Sequence, residues 1–171
     1  MFQLAESTKN SIINSIPWEE FSENPFINTR WAPYLSIHPS LKGKAGEKYV
    51  TQTLLQHGYD VRPRVNSGHD FILDNKKFEL KFSLASKGKP DNFTWNHVGI
   101  QKDWDILLTV GINLEITDRW LWVTKKDFTN FWDEAWSYQQ GGQKAKNDDF
   151  GLLDSVEEYM SLDWVNHFDD W

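Results

Sequence analysis

Residues 66–83, NSGHDFILDNKKFELKFS, leave this chain little freedom in how it folds. Phe71, Ile72 and Leu73 are apolar and strand-like, and Asp74, Asn75, Lys76 and Lys77 are polar and turn-like. Phe78, Leu80 and Phe82 then alternate with Glu79, Lys81 and Ser83. A period of two marks a strand with one wet and one dry face, so the stretch predicts a β-hairpin. A two-residue loop of Asn75 and Lys76 uses asparagine's tolerance of left-handed backbone angles. That loop pairs Leu73 with Phe78, Ile72 with Glu79, Phe71 with Leu80 and Asp70 with Lys81. Directly opposed residues share a face. Asp70, Glu79 and Lys81 therefore fall on one side, and Phe71, Leu73, Phe78 and Leu80 on the other. A four-residue loop keeps this pairing, whereas a three-residue loop slips by one and parts Asp70 from Glu79 and Lys81.

Two carboxylates and an ammonium on one face suit a divalent metal. Mg²⁺ prefers oxygen ligands, often one or two carboxylates completed by water and substrate phosphate. Asp70 and Glu79 are the candidate ligands, and Lys81 the group that orients a water and stabilises developing charge. At these residues the chain resembles the PD-(D/E)xK nuclease superfamily, and in style its small type II restriction endonucleases. The family motif is an acid on one strand, then acid-x-Lys on the next. Here it reads Asp70, then Glu79-Leu80-Lys81, with eight residues between the carboxylates. His69 stands where the motif has proline. By itself a Glu-x-Lys on a strand is commonly a solvated pair of small energetic value.

The preceding segment adds to the likeness. Residues 40–58 predict a helix, with Ser40 as N-cap, Gly58 as the C-terminal stop, and Gly46, Tyr49, Val50, Thr53 and Leu54 as its buried stripe. Glu47 lies at the edge of that stripe, where a glutamate needs a partner. The run KAGEKYV (44–50), followed by Leu54, Leu55, Gly58, Tyr59 and Val61, resembles the first core helix and strand of the superfamily. The resemblance implies that Glu47 joins the metal cluster, as an accessory ligand or in an outer contact.

Other segments bear on substrate. Residues 59–65 predict a strand in which Arg62 and Arg64 share one face. They suit phosphate contacts or, equally, solvated charges on an edge that Pro63 hints at. Lys87 and Lys89 lie in a basic loop. Asn92, Thr94, Asn96 and His97 follow, interleaved with Phe93 and Trp95. Short polar side chains of this kind can read base edges, and the segment loosely resembles the base-reading strand of small restriction enzymes. A plain loop or amphipathic strand fits it as well. Residues 105–112, DILLTVGI, predict a central strand buried on both faces. Residues 114–116 and 120–123 predict further strands, and 127–138 a helix with Trp132 and Trp136 on one face. At the N-terminus, residues 2–16 and 18–21 read as helical around Pro17.

The 171 residues suit one domain. The expected organisation is an N-terminal arm (1–39), a catalytic core (40–139) and an acidic aromatic segment (140–171), which packs on the core by default, with a subunit contact or a cover over the basic face as the other readings. The expected fold is α/β, with a central mixed β-sheet flanked by helices, restriction-endonuclease-like. The absence of cysteine excludes disulfides and thiolate metal sites. No export signal or membrane span is evident, so a cytoplasmic location is expected. The net charge of −7 sits awkwardly with DNA binding, but it is unevenly spread. Residues 147–171 hold eight acids and no Lys or Arg, whereas 42–102 hold eleven bases against six acids. A basic surface attracts a polyanion even on an acidic chain.

The resemblance implies an endodeoxyribonuclease dependent on Mg²⁺, with Mn²⁺ as a substitute, acting on DNA as a homodimer. A type II restriction-like enzyme is expected first. A structure-selective enzyme, such as a Holliday junction resolvase or repair nuclease, is the second reading, and a non-catalytic DNA- or protein-binding module the third.

Overall fold

The computed structural model describes residues 25–85, 93–113, 118–138, 149–152 and 156–171. The helical reading of 2–21, the strand at 114–116, and Lys87, Lys89 and Asn92 lie outside the described residues. The chain divides into two compact units, residues 1–35 and 36–171. In the first, a turn is closed by the Thr29 hydroxyl donating to the Phe26 carbonyl (2.8 Å), and a one-turn helix α1 (Ala32–Leu35) follows.

The second unit is α/β. Its six-stranded mixed sheet runs in the order β1-β2-β3-β5-β6-β9, where β1 is Arg62–Pro63, β2 Phe71–Leu73, β3 Lys76–Leu84, β5 Ile106–Ile112, β6 Arg119–Thr124 and β9 Asn166–His167. Strands β3 and β5 pair in parallel, and every other pair in this sheet is antiparallel. A smaller sheet joins β4 (Val98–Gly99), β8 (Asp149–Leu152) and β7 (Trp136–Tyr138) in that order. Every residue of β5 is buried, as its apolar run requires of a central strand. β1 lies at the sheet edge, where Pro63 withholds no ladder donor from a neighbour.

The hairpin forms, but its turn is Asp74 and Asn75, with Phe71 opposite Phe78, Ile72 opposite Lys77 and Leu73 opposite Lys76. Both turn residues adopt positive φ, 48° and 61°. This is the demand of a type I′ turn, and Asp and Asn meet it better than lysine does. The pairing is thus two residues away from the expected one. An even shift preserves the faces, so Asp70 and Glu79 still share a side.

Helix α2 (Pro39–Gln56) is capped by His38 and not by Ser40. Pro39 takes the first helical position, where its missing N–H costs nothing, and the His38 ring accepts the Ser40 amide (3.3 Å). Gly46, Val50 and Leu54 form the buried stripe, and Gly58 ends the helix region at φ 88°. The expected helix over 127–138 is instead α3 (Lys125–Phe131), a 3-10 turn at Trp132–Glu134 and strand β7. Trp136 consequently leaves the face of Trp132 and is fully buried in the small sheet. The described parts of the acidic C-terminal segment join the sheets: β8 is the central strand of the smaller one, β9 an edge strand of the larger, and α4 (Val156–Met160) buries Val156 and Tyr159. Among the described residues no helix is long and apolar enough to cross a membrane.

Candidate active site

The site is built from β3, the turn before β2, and α2. Glu79 and Lys81 lie two apart on β3 and so share a face. Asp70 directly precedes β2, and its amide donates to the Phe78 carbonyl (2.7 Å), which holds it beside Glu79. Its carboxylate Oδ2 accepts the Leu80 amide (2.7 Å). His69 is buried and accepts the Val65 amide through Nε2 (3.4 Å), bracing the turn that delivers Asp70.

Helix α2 brings Glu47 to the same place. A Cβ on Gly46 would stand 2.6 Å from Phe82 Cβ on β3, so only glycine allows this approach of helix to strand. Tyr49 adds an edge-on contact to the Phe82 ring at 5.7 Å. Glu47 follows Gly46 directly and faces the cleft that Asp70, Glu79 and Lys81 line. That cleft measures about 440 Å³.

Electrostatics tie the carboxylates together. Burial raises the proton affinity of Asp70 above the ordinary carboxylate range, and the charge of Glu79 raises it further, against the pull of the Leu80 amide, Lys81 and Lys102. Burial and the charge of Asp70 push Glu47 up in the same way, while Arg64 and Lys44 oppose them. Glu79 is buried, and its Oε1 accepts from both Lys81 Nζ and Lys102 Nζ at 2.7 Å. Among the described residues no group of three His, Cys, Asp or Glu side chains is gathered so as to hold a metal. The donors adjacent across the hairpin are the two carboxylates of Asp70 and Glu79, a set that fits Mg²⁺ completed by water and phosphate oxygens. Glu47 is a neighbour of that pair in charge and in cleft.

The expected substrate residues divide. Arg64 lines the cleft. Arg62 donates through Nη2 to Asn75 Oδ1 at the hairpin turn (2.7 Å) and is absent from the lining. Thr94, Asn96 and His97 all line the cleft. Their segment is irregular loop, with His97 at φ 62°, anchored by buried Phe93 and Trp95, whose indole donates to the Val110 carbonyl (3.2 Å). The Thr94 amide donates to Ser83 Oγ (3.1 Å), joining the segment to the end of β3. Lys102 has no motif around it and is not foreseen from the sequence. Only the parallel pairing of β3 with β5 draws the loop before β5 alongside Glu79, and nothing local in residues 99–104 announces that pairing. Neither the protein-family models nor the curated proteins give a match to this chain.

Proposed function

We propose that this chain is a Mg²⁺-dependent endodeoxyribonuclease, with Mn²⁺ as an alternative ion, that hydrolyses phosphodiester bonds of duplex DNA. The observation that carries this reading is a single cleft lined by Glu47, Asp70, Glu79 and Lys81 together with Lys44, Arg64 and Lys102. Three acids and four bases suit an ion flanked by phosphate better than they suit a neutral ligand.

In this reading Asp70 and Glu79 hold the metal. When bound, such an ion lowers the pKa of a coordinated water and offsets charge on the phosphoryl oxygens. Lys81 orients the attacking water and steadies the extra charge of the pentacovalent phosphorus. Glu47, whose pKa is raised by burial and by the charge of Asp70, lines the same cleft as an outer contact for that water. Arg64 and Lys44 hold the flanking phosphates. Thr94, Asn96 and His97 project from a rigid apolar anchor, an arrangement that supports reading of base edges and hence the restriction-type reading over the junction-resolving one. A two-fold dimer would supply the second site for a double-strand cut.

One observation favours a non-catalytic DNA-binding module: Glu79 Oε1 already accepts from both Lys81 and Lys102. Digestion of plasmid and of four-way junctions with Mg²⁺, followed by sequencing of the ends, separates the three. Fragments with one recurrent end sequence support the restriction-type enzyme, and cleavage of branched DNA alone supports a resolvase. Intact DNA across several divalent ions overturns the nuclease assignment. Lys81→Ala is expected to abolish cutting while DNA binding, followed by fluorescence anisotropy, changes little.

A further inference from the structure

The two lysines on Glu79 are not equivalent. Lys81 is carried by β3 itself, two residues from its partner, and its side chain is 15% exposed. Lys102 comes from the loop before β5, and its side chain is 37% exposed. That loop is firmly built. The Lys102 amide donates to the Gly99 carbonyl (3.2 Å), which also accepts the Trp104 indole N–H (2.8 Å). The Lys102 carbonyl accepts from Lys125 Nζ, which lies 5.0 Å from the centre of the Trp104 ring. The aliphatic stem of Lys102 runs across Gly99, where a Cβ would meet Lys102 Cγ and Cε at 3.2 Å. Backbone and stem are therefore fixed, and only the terminal ammonium has room to choose a partner.

A carboxylate oxygen that accepts from two ammonium groups has little capacity left for a cation. An ion that takes this oxygen together with Asp70 displaces one of them, and an ion on the other Glu79 oxygen still meets the repulsion of both ammonium charges, which favours departure of the looser one. Lys81 is short of space and bound to the same strand, whereas Lys102 faces the open cleft. The geometry points to Lys102 as an exchangeable counter-ion: it occupies Glu79 while the metal is away, and turns to a DNA phosphate once the metal is held. Metal and DNA then bind cooperatively, because each relieves the charge that the other leaves unpaired. This inference rests on the proposed metal-dependent reading of the site.

The test uses Mn²⁺ binding to the full chain, followed by electron paramagnetic resonance of the free ion, with and without a duplex carrying non-cleavable phosphorothioate linkages. For Lys102→Gln, whose fold is checked by its circular dichroism and melting curve, Mn²⁺ is expected to bind about tenfold more tightly without DNA, the scale of one charge-assisted hydrogen bond removed from competition. Added DNA should tighten Mn²⁺ binding in the parent but much less in Lys102→Gln. Lys102→Arg, which keeps the charge, should restore the coupling. Equal Mn²⁺ affinity in parent and Lys102→Gln, with binding lost in Asp70→Asn, overturns the role of Lys102 and leaves the metal site standing. No Mn²⁺ binding to any form overturns both.

Discussion

Two glycines of α2 give a matched test of how the site is assembled. Gly43 and Gly46 are one turn apart, and alanine at either gains intrinsic helix propensity of roughly 0.8–1 kcal/mol. Around Gly43 an added Cβ meets nothing within 4 Å. Around Gly46 it meets Phe82 Cβ at 2.6 Å, Cγ at 2.7 Å and Cδ1 at 2.9 Å. Phe82 cannot swing aside without losing its contact with Tyr49, so helix and strand must part. Overpacking of this kind costs about 1–3 kcal/mol. Gly43→Ala is therefore expected to stabilise the fold by up to about 1 kcal/mol, and Gly46→Ala to destabilise it by up to about 2 kcal/mol after the propensity gain. In a unit of this size each kcal/mol moves Tm by about 2–4 °C, so the variants should separate clearly in calorimetry. The damage at Gly46 should also reach Glu47, the next residue, and lower turnover beyond the stability loss. A Gly46→Ala protein as stable as Gly43→Ala would refute the close approach of α2 to β3, and with it the placing of Glu47.

Asp70→Asn keeps an acceptor for the Leu80 amide but removes a charge that burial and Glu79 disfavour, so it should raise Tm while abolishing the proposed cleavage. The sign follows from linkage: a carboxyl whose folded pKa is raised favours the fold below its unfolded pKa and loses that contribution as pH rises through the folded value. The Tm advantage of Asp70→Asn over the parent should hence be present near pH 7 and vanish near pH 4, and a constant advantage in a pH series of melting curves would contradict this. Trp171 donates its indole N–H to Asp74 Oδ2 (2.9 Å) and packs edge-on against Phe78 (5.1 Å) and Trp122 (5.0 Å), clamping the hairpin turn from the C-terminus. Trp171→Ala should cost roughly 1–3 kcal/mol in urea unfolding, and Trp171→Phe, which lacks only the donor, about 1 kcal/mol.

What the sequence discloses about this fold depends on the range of the forces involved. The face shared by Asp70, Glu79 and Lys81 was legible because period-two alternation depends only on neighbours. The register was not, because Asn75 can sit at either centre of a tight turn, and it took Asp74 at positive φ to settle which. The apolar run of β5 announced a central strand, yet it could not name its partners, so Lys102 stayed hidden. Residues 127–138 carry a helical spacing of aromatics, but Trp136, Ser137 and Tyr138 pair with Leu152, Gly151 and Phe150. That ladder closes across a sequence separation over which local propensity has no say. Likewise Ser40 is the better N-cap by residue type, and Pro39 overrode it by preferring the first helical position.

The uneven charge of the chain has a spatial counterpart that bears on the proposed binding of DNA. No described residue from 149–171 lines the active cleft, whereas Asp163 lines a second cleft beside α3 and Asp169 a third beside α2. Exposed charges beyond about 8–10 Å are screened at ordinary ionic strength. The described C-terminal acids thus add to the negative charge of the chain without joining the lining of that cleft. Within the cleft, Lys81 and Lys102 both donate to Glu79, while Lys44 and Arg64 are the cations that act on Glu47. On the proposed reading, a duplex bound in the presence of Ca²⁺ should show a log–log salt slope of about −2 to −4 per site, at roughly −0.9 for each phosphate neutralised. Arg64→Gln should flatten that slope by about one, and Arg62→Gln, whose guanidinium is engaged by Asn75, should leave it nearly unchanged. A steeper slope that depends on Arg62 as much as on Arg64 would mean that DNA lies along the hairpin edge and not in the cleft.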